Sequence, residues 1–237
     1  MTKLTIIGSI SVKSALLNHK RDVFEVFFAK EKLINDRNLK YIDKVAKSQE
    51  IKINYLSKIE LTNRFGVGHG GVCAIVSNYD YGYEDFSDIV YLLDGVEDPY
   101  NFGHSLRSLY ASGVTQLIIP RALMIEQEPI ILRSSAGALD KIDLIIKDEA
   151  NELLDYFLEN DYQVVALDRK NAISLFDFEF GDKLLIVVGG EKRGISKQVL
   201  SKCHSSIYIP YGSDFKNALT STSAISVLAF EIFRRNI

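Results

Sequence analysis

A glycine-rich turn that directly follows an apolar segment is the first candidate for ligand binding. Residues 184–188 (LLIVV) predict a fully buried strand, and residues 189–194 (GGEKRG) follow it without a break. Open α/β sheets bind ligands at the carboxyl ends of their strands, where glycines let backbone N–H and C=O groups approach a ligand closely. A plain turn into a helix is the alternative. Two further segments of the same kind, 101–107 and 209–224, favour ligand binding.

The composition is that of an ordinary globular protein. The chain has 237 residues, of which 47% are apolar and 25% charged, enough for one large α/β domain or two unequal domains. No apolar run reaches the roughly 18 residues of a membrane span, and the first residues lack the features of a secretory signal, so we expect a cytoplasmic protein without membrane contact. Cys73 and Cys203 lie far apart and predict reduced, buried thiols, and four scattered histidines argue against a metal site.

The net charge of −3 hides an asymmetry along the chain. Residues 1–80 carry 13 Lys and Arg against 8 Asp and Glu, whereas residues 81–237 carry 15 against 23. A basic first third on an acidic remainder favours contact of the first third with a polyanion. A solvated basic face is the alternative.

Hydrophobic periodicity predicts a small α/β domain over residues 1–77, a polar linker over 78–88 and a larger domain over 89–237. In the small domain we expect strands at 4–7, 23–29, 51–56 and 72–76, and helices near 11–18, 39–48 and 59–64. In the larger domain we expect strands at 89–93, 114–120, 143–147, 163–167, 184–188 and 205–210, alternating with helices near 104–112, 129–132, 149–159, after 195 and over 222–235. Strands that alternate with helices predict a mainly parallel sheet with helices on both faces.

Three motifs follow one another in the larger domain. They are residues 98–107 (DPYNFGHSLR), residues 189–195 (GGEKRGI), and residues 209–210 (IP) with 218–224 (ALTSTSA). Together they resemble the SpoU, or TrmH-type, RNA ribose 2′-O-methyltransferases of the SPOUT class. The resemblance extends to residues 135–138 (SAGA) and 69–72 (HGGV). The layout is similar to that of the RlmB-type ribosomal RNA enzymes, in which a small substrate-binding domain precedes the catalytic domain.

The resemblance implies a fold and a cofactor. It implies a trefoil knot in the carboxyl-terminal part of the chain, although true knots are almost absent from proteins. It implies S-adenosylmethionine bound within the knot, mostly by backbone groups, with contacts at Leu167, Gly189, Gly190, Gly194, Ile209 and Leu219. It also implies a homodimer with active sites at the subunit interface. The helix 222–235, which has Ala224, Val227, Leu228 and Ile232 on one face, is a candidate for that interface or merely for the core.

The resemblance also assigns catalytic roles. Methyl transfer to a ribose hydroxyl needs the methyl group in line with the 2′-oxygen and stabilisation of the charge that develops on this oxygen. Arg107 occupies the position of the motif-one arginine. Since an arginine pKa lies above about 12, we expect Arg107 to clamp a phosphate and stabilise the alkoxide, whether or not it carries the proton. Asn101 is expected to hold the loop, and Glu191 to orient Arg107 or a backbone turn. The alternatives are a surface ion pair for Arg107, a helix N-cap for Asn101 and a structural role for Glu191.

The third motif departs from the family pattern. Where the family usually shows Ser-Leu-Asn-x-Ser, this sequence has Ala218-Leu219-Thr220-Ser221-Thr222. Thr220 takes the place of the asparagine and is kept as a catalytic candidate, although a threonine hydroxyl lacks the reach of an amide. Asn217 is the alternative if the loop is shifted. Because motifs one and two are intact, retained catalysis is the favoured interpretation.

The candidate RNA contacts of the small domain are Lys13, Lys20, Arg21 and Arg64, with a solvated surface as the alternative. We interpret the glycine-dense segment 66–71 (GVGHGG) as a turn whose backbone approaches RNA, because its spacing does not match the dinucleotide fingerprint. The sequence thus predicts an S-adenosylmethionine-dependent RNA ribose 2′-O-methyltransferase that acts on ribosomal RNA. A transfer RNA methyltransferase and a catalytically silent RNA-binding protein are the alternatives.

Overall fold

The computed structural model describes residues 3–79, 85–120, 127–147 and 153–235. The chain forms two compact units, which we call the small unit (Met1–Asp80 with Glu128–Lys141) and the large unit (Tyr81–Gln127 with Ile142–Ile237). The segment 128–141 lies between strands of the large unit along the chain but packs within the small unit.

A four-stranded mixed sheet forms the centre of the small unit. Its strands are β1 (Lys3–Ile7), β2 (Val23–Ala29), β3 (Lys52–Leu56) and β4 (Val72–Ser77), in the spatial order β1-β4-β2-β3. Strand β4 pairs antiparallel with β1 and β2, whereas β2 and β3 run parallel. The predicted strands of the small domain are confirmed.

A seven-stranded parallel sheet forms the centre of the large unit. Its strands are β5 (Ile89–Asp94), β6 (Gln116–Pro120), β7 (Asp143–Lys147), β8 (Gln163–Leu167), β9 (Ile173–Ser174), β10 (Leu184–Gly189) and β11 (Ser205–Tyr208). The spatial order is β7-β6-β5-β10-β8-β11-β9, and every neighbouring pair is parallel. The mixed α/β architecture with a mainly parallel sheet is therefore confirmed. The two-residue edge strand β9 was not predicted, since so short a segment has no periodicity.

Helices connect most of these strands. In chain order they are α1 (Ser9–Asn18), α2 (Lys30–Leu33), α3 (Arg37–Ser48), α4 (Lys58–Phe65), α5 (Pro99–Ala111), α6 (Glu128–Ser134), α7 (Leu154–Glu159), α8 (Lys197–Leu200) and α9 (Ser221–Arg235), with a 3₁₀ turn at Ala138–Lys141. Ser57 and Glu60 form a capping box at α4, and Asp36 caps α3. The helix predicted over 149–159 is seen as α7, and its first part lies outside the described residues.

Helix α5 begins earlier than the sequence predicted. Asp98 is its N-cap and accepts a hydrogen bond from the Asn101 backbone N–H at 2.8 Å, and Pro99 occupies the first helical position. The proposed N-cap role of Asn101 is therefore wrong, because Pro99 already has the φ angle of a helix and allows α5 to start before it.

Arg21 connects the two segments of the small unit from inside. Its guanidinium is fully buried and forms ion pairs with Glu128 and with Asp140, the latter at 2.7 Å. Burial opposes ionisation of the Arg21 side chain, but the two carboxylates outweigh this effect and raise its pKa. Arg21 cannot reach RNA from this position, which corrects its assignment as an RNA contact. Its charge serves to join residues 128–141 to the amino-terminal segment.

The glycine-dense turn 66–71 is held by a buried histidine. The His69 Nδ1 atom accepts a hydrogen bond from the Gly71 backbone N–H at 2.9 Å, so the ring proton lies on Nε2, 3.0 Å from the Thr62 hydroxyl oxygen. Burial, together with the charges of Lys32 and Lys58, lowers the pKa of His69. A neutral imidazole thus fixes the turn.

Candidate active site of the large unit

The carboxyl ends of β8, β10 and β11 surround a cavity of about 530 Å³, which we call the main cavity. All six residues that the resemblance assigned to the cofactor line it, namely Leu167, Gly189, Gly190, Gly194, Ile209 and Leu219. These residues come from four separate parts of the chain. The position agrees with the rule that parallel α/β sheets bind ligands at the carboxyl ends of their strands.

Two glycines of this cavity are required by the closeness of neighbouring backbone. A Cβ atom added to Gly190 would lie 1.7 Å from the carbonyl oxygen of Gly95, and one added to Gly189 would lie 2.4 Å from the carbonyl carbon of Gly194. The turn closes on itself, since Gly194 donates its N–H to the Gly190 carbonyl oxygen at 2.9 Å. No side chain fits at either position without movement of the backbone.

A second cavity of about 480 Å³, the side cavity, lies between the start of α5 and the same glycine turn. Glu191 lines both cavities. The Asn101 side-chain amide donates a hydrogen bond to the Glu191 carboxylate at 3.0 Å, and Lys192 pairs with Glu97 at 3.1 Å. Glu191 therefore contacts Asn101, and its expected role in orienting Arg107 or a backbone turn stays a prediction.

Arg107 lies apart from both cavities. It is exposed on α5, and no described residue forms an ion pair or hydrogen bond with its guanidinium. It lies six positions after Asn101, which corresponds to roughly 9 Å along a helix. The structure thus brings Asn101 and Glu191 together but places Arg107 outside both cavities.

Thr220 caps helix α9. Its hydroxyl oxygen accepts a hydrogen bond from the Ser223 backbone N–H at 3.2 Å and donates to the Ser223 hydroxyl oxygen at 3.0 Å. The backbone N–H of Ala224 donates to the Thr220 carbonyl oxygen at 3.0 Å, which starts the helix. Thr220 and Ala218 also line the main cavity, so the altered motif lies at the site the family pattern assigns to it. Asparagine suits an N-cap at least as well as threonine, so capping does not explain why threonine stands here.

The exposed face of α9 differs from the predicted one. Leu228 and Ile232 are buried, whereas Val227, Phe230 and Phe233 are 38%, 46% and 42% exposed. The predicted grouping of Val227 with Leu228 and Ile232 is therefore wrong, because Val227 is exposed while Leu228 and Ile232 are buried. Helix α5 packs beside α9 through a hydrogen bond of 2.7 Å between the Ser226 and Ser108 hydroxyls. Arg107, which precedes Ser108 in the chain, is exposed on α5.

The remaining RNA candidates lie on the small unit. Lys13 is exposed, with its Nζ atom 5.0 Å from the centre of the Tyr41 ring. Arg64 is also exposed, and its guanidinium lies over Phe27 at 4.5 Å. Lys20 is partly buried. Lys13 and Arg64 thus keep their charges accessible.

Three polar residues that follow strands β8 and β11 in the main cavity escaped the sequence analysis. They are Asp168, Arg169 and Tyr211. Asp168 and Arg169 directly follow strand β8, and Tyr211 follows Pro210 of motif three. A polar residue just after a buried parallel strand is the signal that could have indicated them.

Neither cysteine forms a disulfide, and burial raises the pKa of the Cys73 thiol to about 12 and that of Cys203 to about 11. Across the described ranges, no group of His, Cys, Asp or Glu side chains is arranged to hold a metal ion. Within the part of the chain that the structure describes, no helix combines the length and apolarity needed to cross a membrane.

A parallel sheet with a glycine-lined cavity at its carboxyl edge defines a ligand-binding α/β protein. Comparison with known families narrows this class. The SpoU rRNA methylase family matches residues 88–229, and the RNA 2′-O ribose methyltransferase substrate-binding family matches residues 5–82. The chain belongs to the SpoU family of RNA methyltransferases.

Relatives cover nearly the whole chain. A TrmH family tRNA/rRNA methyltransferase of Staphylococcus epidermidis is 29% identical, covering 99% of this chain and 97% of its own. A protein of the same description from Staphylococcus aureus is 30% identical over 85% of each chain. The SpoU methyltransferase AviRb of Streptomyces viridochromogenes, solved in complex with AdoMet, has a TM-score of 0.81 at 20% identity, over 99% of this chain and 90% of its own. The structure of an RNA 2′-O ribose methyltransferase has a TM-score of 0.82 at 17% identity. The match covers 99% of this chain and 89% of that protein's chain.

Proposed function

We propose that this SpoU-family RNA methyltransferase transfers the methyl group of S-adenosylmethionine to a ribose 2′-hydroxyl, and that its substrate is ribosomal RNA. The observation that carries the proposal is the convergence of six residues from four parts of the chain on the main cavity. The cofactor of the family is S-adenosylmethionine. At about 530 Å³ the cavity lies within the range of small-molecule sites, about 300–1,000 Å³.

The residues of the main cavity fit this cofactor. Gly189, Gly190 and Gly194 offer backbone N–H and C=O groups, and Leu167, Ile209 and Leu219 offer apolar surface for its base and ribose. When bound, the cofactor supplies an electrophilic methyl group.

The side cavity is the proposed acceptor site, because it adjoins the main cavity at Glu191. The hydrogen bond between Asn101 and Glu191 fixes both side chains at this boundary. A ribose hydroxyl can donate to a carboxylate and accept from an amide, so this pair can orient the nucleotide. Thr220, which lines the main cavity, is proposed as a further catalytic residue.

Arg107 completes the site from a second copy of the chain. In one copy it lines neither cavity, and it is exposed on α5, the helix that packs beside α9 with its exposed Val227, Phe230 and Phe233. An apolar surface of this kind favours association. In the proposed homodimer, the guanidinium of one copy stabilises the charge that develops on the 2′-oxygen at the cavities of the other. We also propose that the carboxyl-terminal part of the chain forms a trefoil knot and that the protein is cytoplasmic.

Methyl incorporation from labelled S-adenosylmethionine tests the reaction, with total RNA from a strain that lacks this gene. The wild-type protein is expected to label ribosomal RNA at a ribose 2′-oxygen. Arg107→Ala is expected to lower transfer by about 10²–10³-fold with cofactor binding unchanged, and Arg107→Lys to retain part of the activity. Label only in transfer RNA favours the transfer RNA alternative. Binding of cofactor and RNA without any transfer favours the silent RNA-binding protein.

Mixing two inactive variants tests the role of Arg107 across the dimer. Arg107→Ala is combined with Leu219→Arg, which places a bulky charge in the main cavity. If Arg107 acts on the partner's site, each mixed dimer contains one complete site, and about a quarter of the wild-type activity returns after subunit exchange. If Arg107 acts within its own copy, no activity returns.

The small unit is proposed to bind the RNA backbone through Lys13, Lys20 and Arg64. Replacing Lys13 and Arg64 with Met is expected to weaken RNA binding uniformly across sequences and to reduce the slope of log affinity against log salt by about 1 per contact. Electrophoretic mobility shifts over a salt series measure this slope. Unchanged affinity would identify the basic surface as solvated only.

A further inference from the structure

The loop of residues 211–220 forms one wall of the main cavity, and two side chains outside the three motifs hold it. We propose that Arg169 and Tyr211 are positioning residues that keep this loop in its ligand-binding conformation before the cofactor arrives. The role of the loop in cofactor affinity rests on the proposed function, but its conformation without ligand does not.

Arg169 reaches the loop from the end of strand β8. Its Nη1 atom donates to the Lys216 carbonyl oxygen at 2.8 Å, and its Nη2 atom donates to the Asn217 carbonyl oxygen at 3.4 Å. The backbone beneath it is fixed, since Asp168 donates its N–H to the Ile207 carbonyl oxygen at 3.0 Å and accepts from the Lys170 N–H at 3.0 Å. The planar fork of a guanidinium suits two adjacent carbonyls.

Tyr211 closes the same network. Its hydroxyl donates to the Asn217 carbonyl oxygen at 3.3 Å and accepts from the Leu219 backbone N–H at 3.0 Å. The Arg169 guanidinium lies over the Tyr211 ring, 4.6 Å from its centre. The two side chains therefore contact each other. Arg169 also contacts the backbone at Lys216 and Asn217, and Tyr211 contacts it at Asn217 and Leu219.

These contacts leave the inner side of the loop to the ligand. The carbonyls of Lys216 and Asn217 and the N–H of Leu219 are engaged by Arg169 and Tyr211, while Leu219 and Thr220 line the cavity. Ordering a free loop costs conformational entropy, and apparent affinity falls with the fraction of molecules in the competent conformation. A loop held in advance removes this cost from cofactor binding.

Limited proteolysis of the full chain without cofactor tests the proposal directly. Trypsin cleaves after Lys216, whose carbonyl oxygen accepts the Arg169 hydrogen bond. Arg169→Met and Tyr211→Phe are each expected to accelerate this cleavage by about threefold to tenfold. Tyr211→Phe keeps the aromatic ring and removes only the hydroxyl. Mass spectrometry measures the rate of cleavage. Lys170→Met is the matched control, because it removes the neighbouring exposed cation and an equal number of trypsin sites. Its cleavage rate after Lys216 is expected to equal that of the wild type.

Calorimetry with S-adenosylmethionine supplies the second measurement. The double variant of Arg169→Met and Tyr211→Phe is expected to bind about threefold more weakly than the wild type. Weaker binding with unchanged cleavage after Lys216 would make the two residues direct ligand contacts and overturn the positioning role, as would no change in either measurement. If the wild type does not bind the cofactor, the proposed function fails, and the cleavage rates alone decide whether Arg169 and Tyr211 hold the loop.

Discussion

The turn at residues 189–194 in the large unit and the turn at residues 66–71 in the small unit are both rich in glycine, but their glycines have different surroundings. At Gly190 an added Cβ atom would lie 1.7 Å from the Gly95 carbonyl oxygen, whereas at Gly66 nothing lies within 4 Å. Gly66 instead has a φ angle of 81°, in a region that L side chains rarely adopt. Gly190 is therefore required for space, and Gly66 is required for backbone conformation.

This difference matches the position of each turn in its unit. The turn 189–194 follows a buried parallel strand and packs against the loop that contains Gly95, so its backbone forms the wall of a cavity. The turn 66–71 precedes β4, exposes Val67 by 82%, and is held from inside by His69. We therefore expect changes in the first turn to impair ligand binding, and changes in the second to affect stability and the presentation of the turn.

The largest effect is expected for Gly190→Ala. Relief of the contact with Gly95 requires a backbone shift at the boundary of both cavities, and a displacement of this kind lowers methyl transfer by roughly 10²-fold. Gly212→Ala is the matched control, because nothing lies within 4 Å of the added methyl group there. Methyl transfer and S-adenosylmethionine affinity are measured for both variants. Equal behaviour of the two would show that close backbone contact is not what the site requires.

A smaller effect, on stability alone, is expected for Gly66→Ala. The positive φ angle makes a Cβ unfavourable, and the variant should lose about 1–3 kcal/mol of unfolding free energy. Urea denaturation measures this loss, with Val67→Ala at the exposed tip as the control. Binding of S-adenosylmethionine should stay at the wild-type level. A clear loss of cofactor affinity in Gly66→Ala would contradict the separation of roles between the turns.

The smallest effect is expected from the titration of His69. Its pKa is lowered in the folded protein, so the unfolded chain takes up a proton first as the pH falls below about 6.5. The stability that neutral His69 contributes is therefore present above about pH 6.5 and is lost as the pH falls through its folded pKa. His69→Asn keeps an acceptor for the Gly71 N–H and should show a weaker loss of unfolding free energy between pH 7 and pH 5. An identical pH dependence in both proteins would rule out His69 as the group responsible.

The sequence predicted the elements well where periodicity was strong. Strands β7 and β8 match the predicted ranges, and the alternation of strands with helices indicated a parallel sheet. Errors arose where a local sequence pattern was compatible with two structural roles. Asn101 resembles an N-cap, but Asp98 followed by Pro99 is a better one. Arg21 resembles an exposed cation because its acidic partners, Glu128 and Asp140, lie more than 100 residues away along the chain.

By itself, the sequence determined the fold class, because strand periodicity is a property of neighbouring residues, and its motifs indicated the family. The resemblance to that family then indicated six residues that line the main cavity. Only the tertiary structure decided which side chains meet. It joined Asn101 to Glu191 and separated Arg107 from both cavities. It also brought Arg169 and Tyr211 onto one loop. Contacts of this kind depend on the spatial order of the strands, and residues far apart along the chain carry no local signal of it.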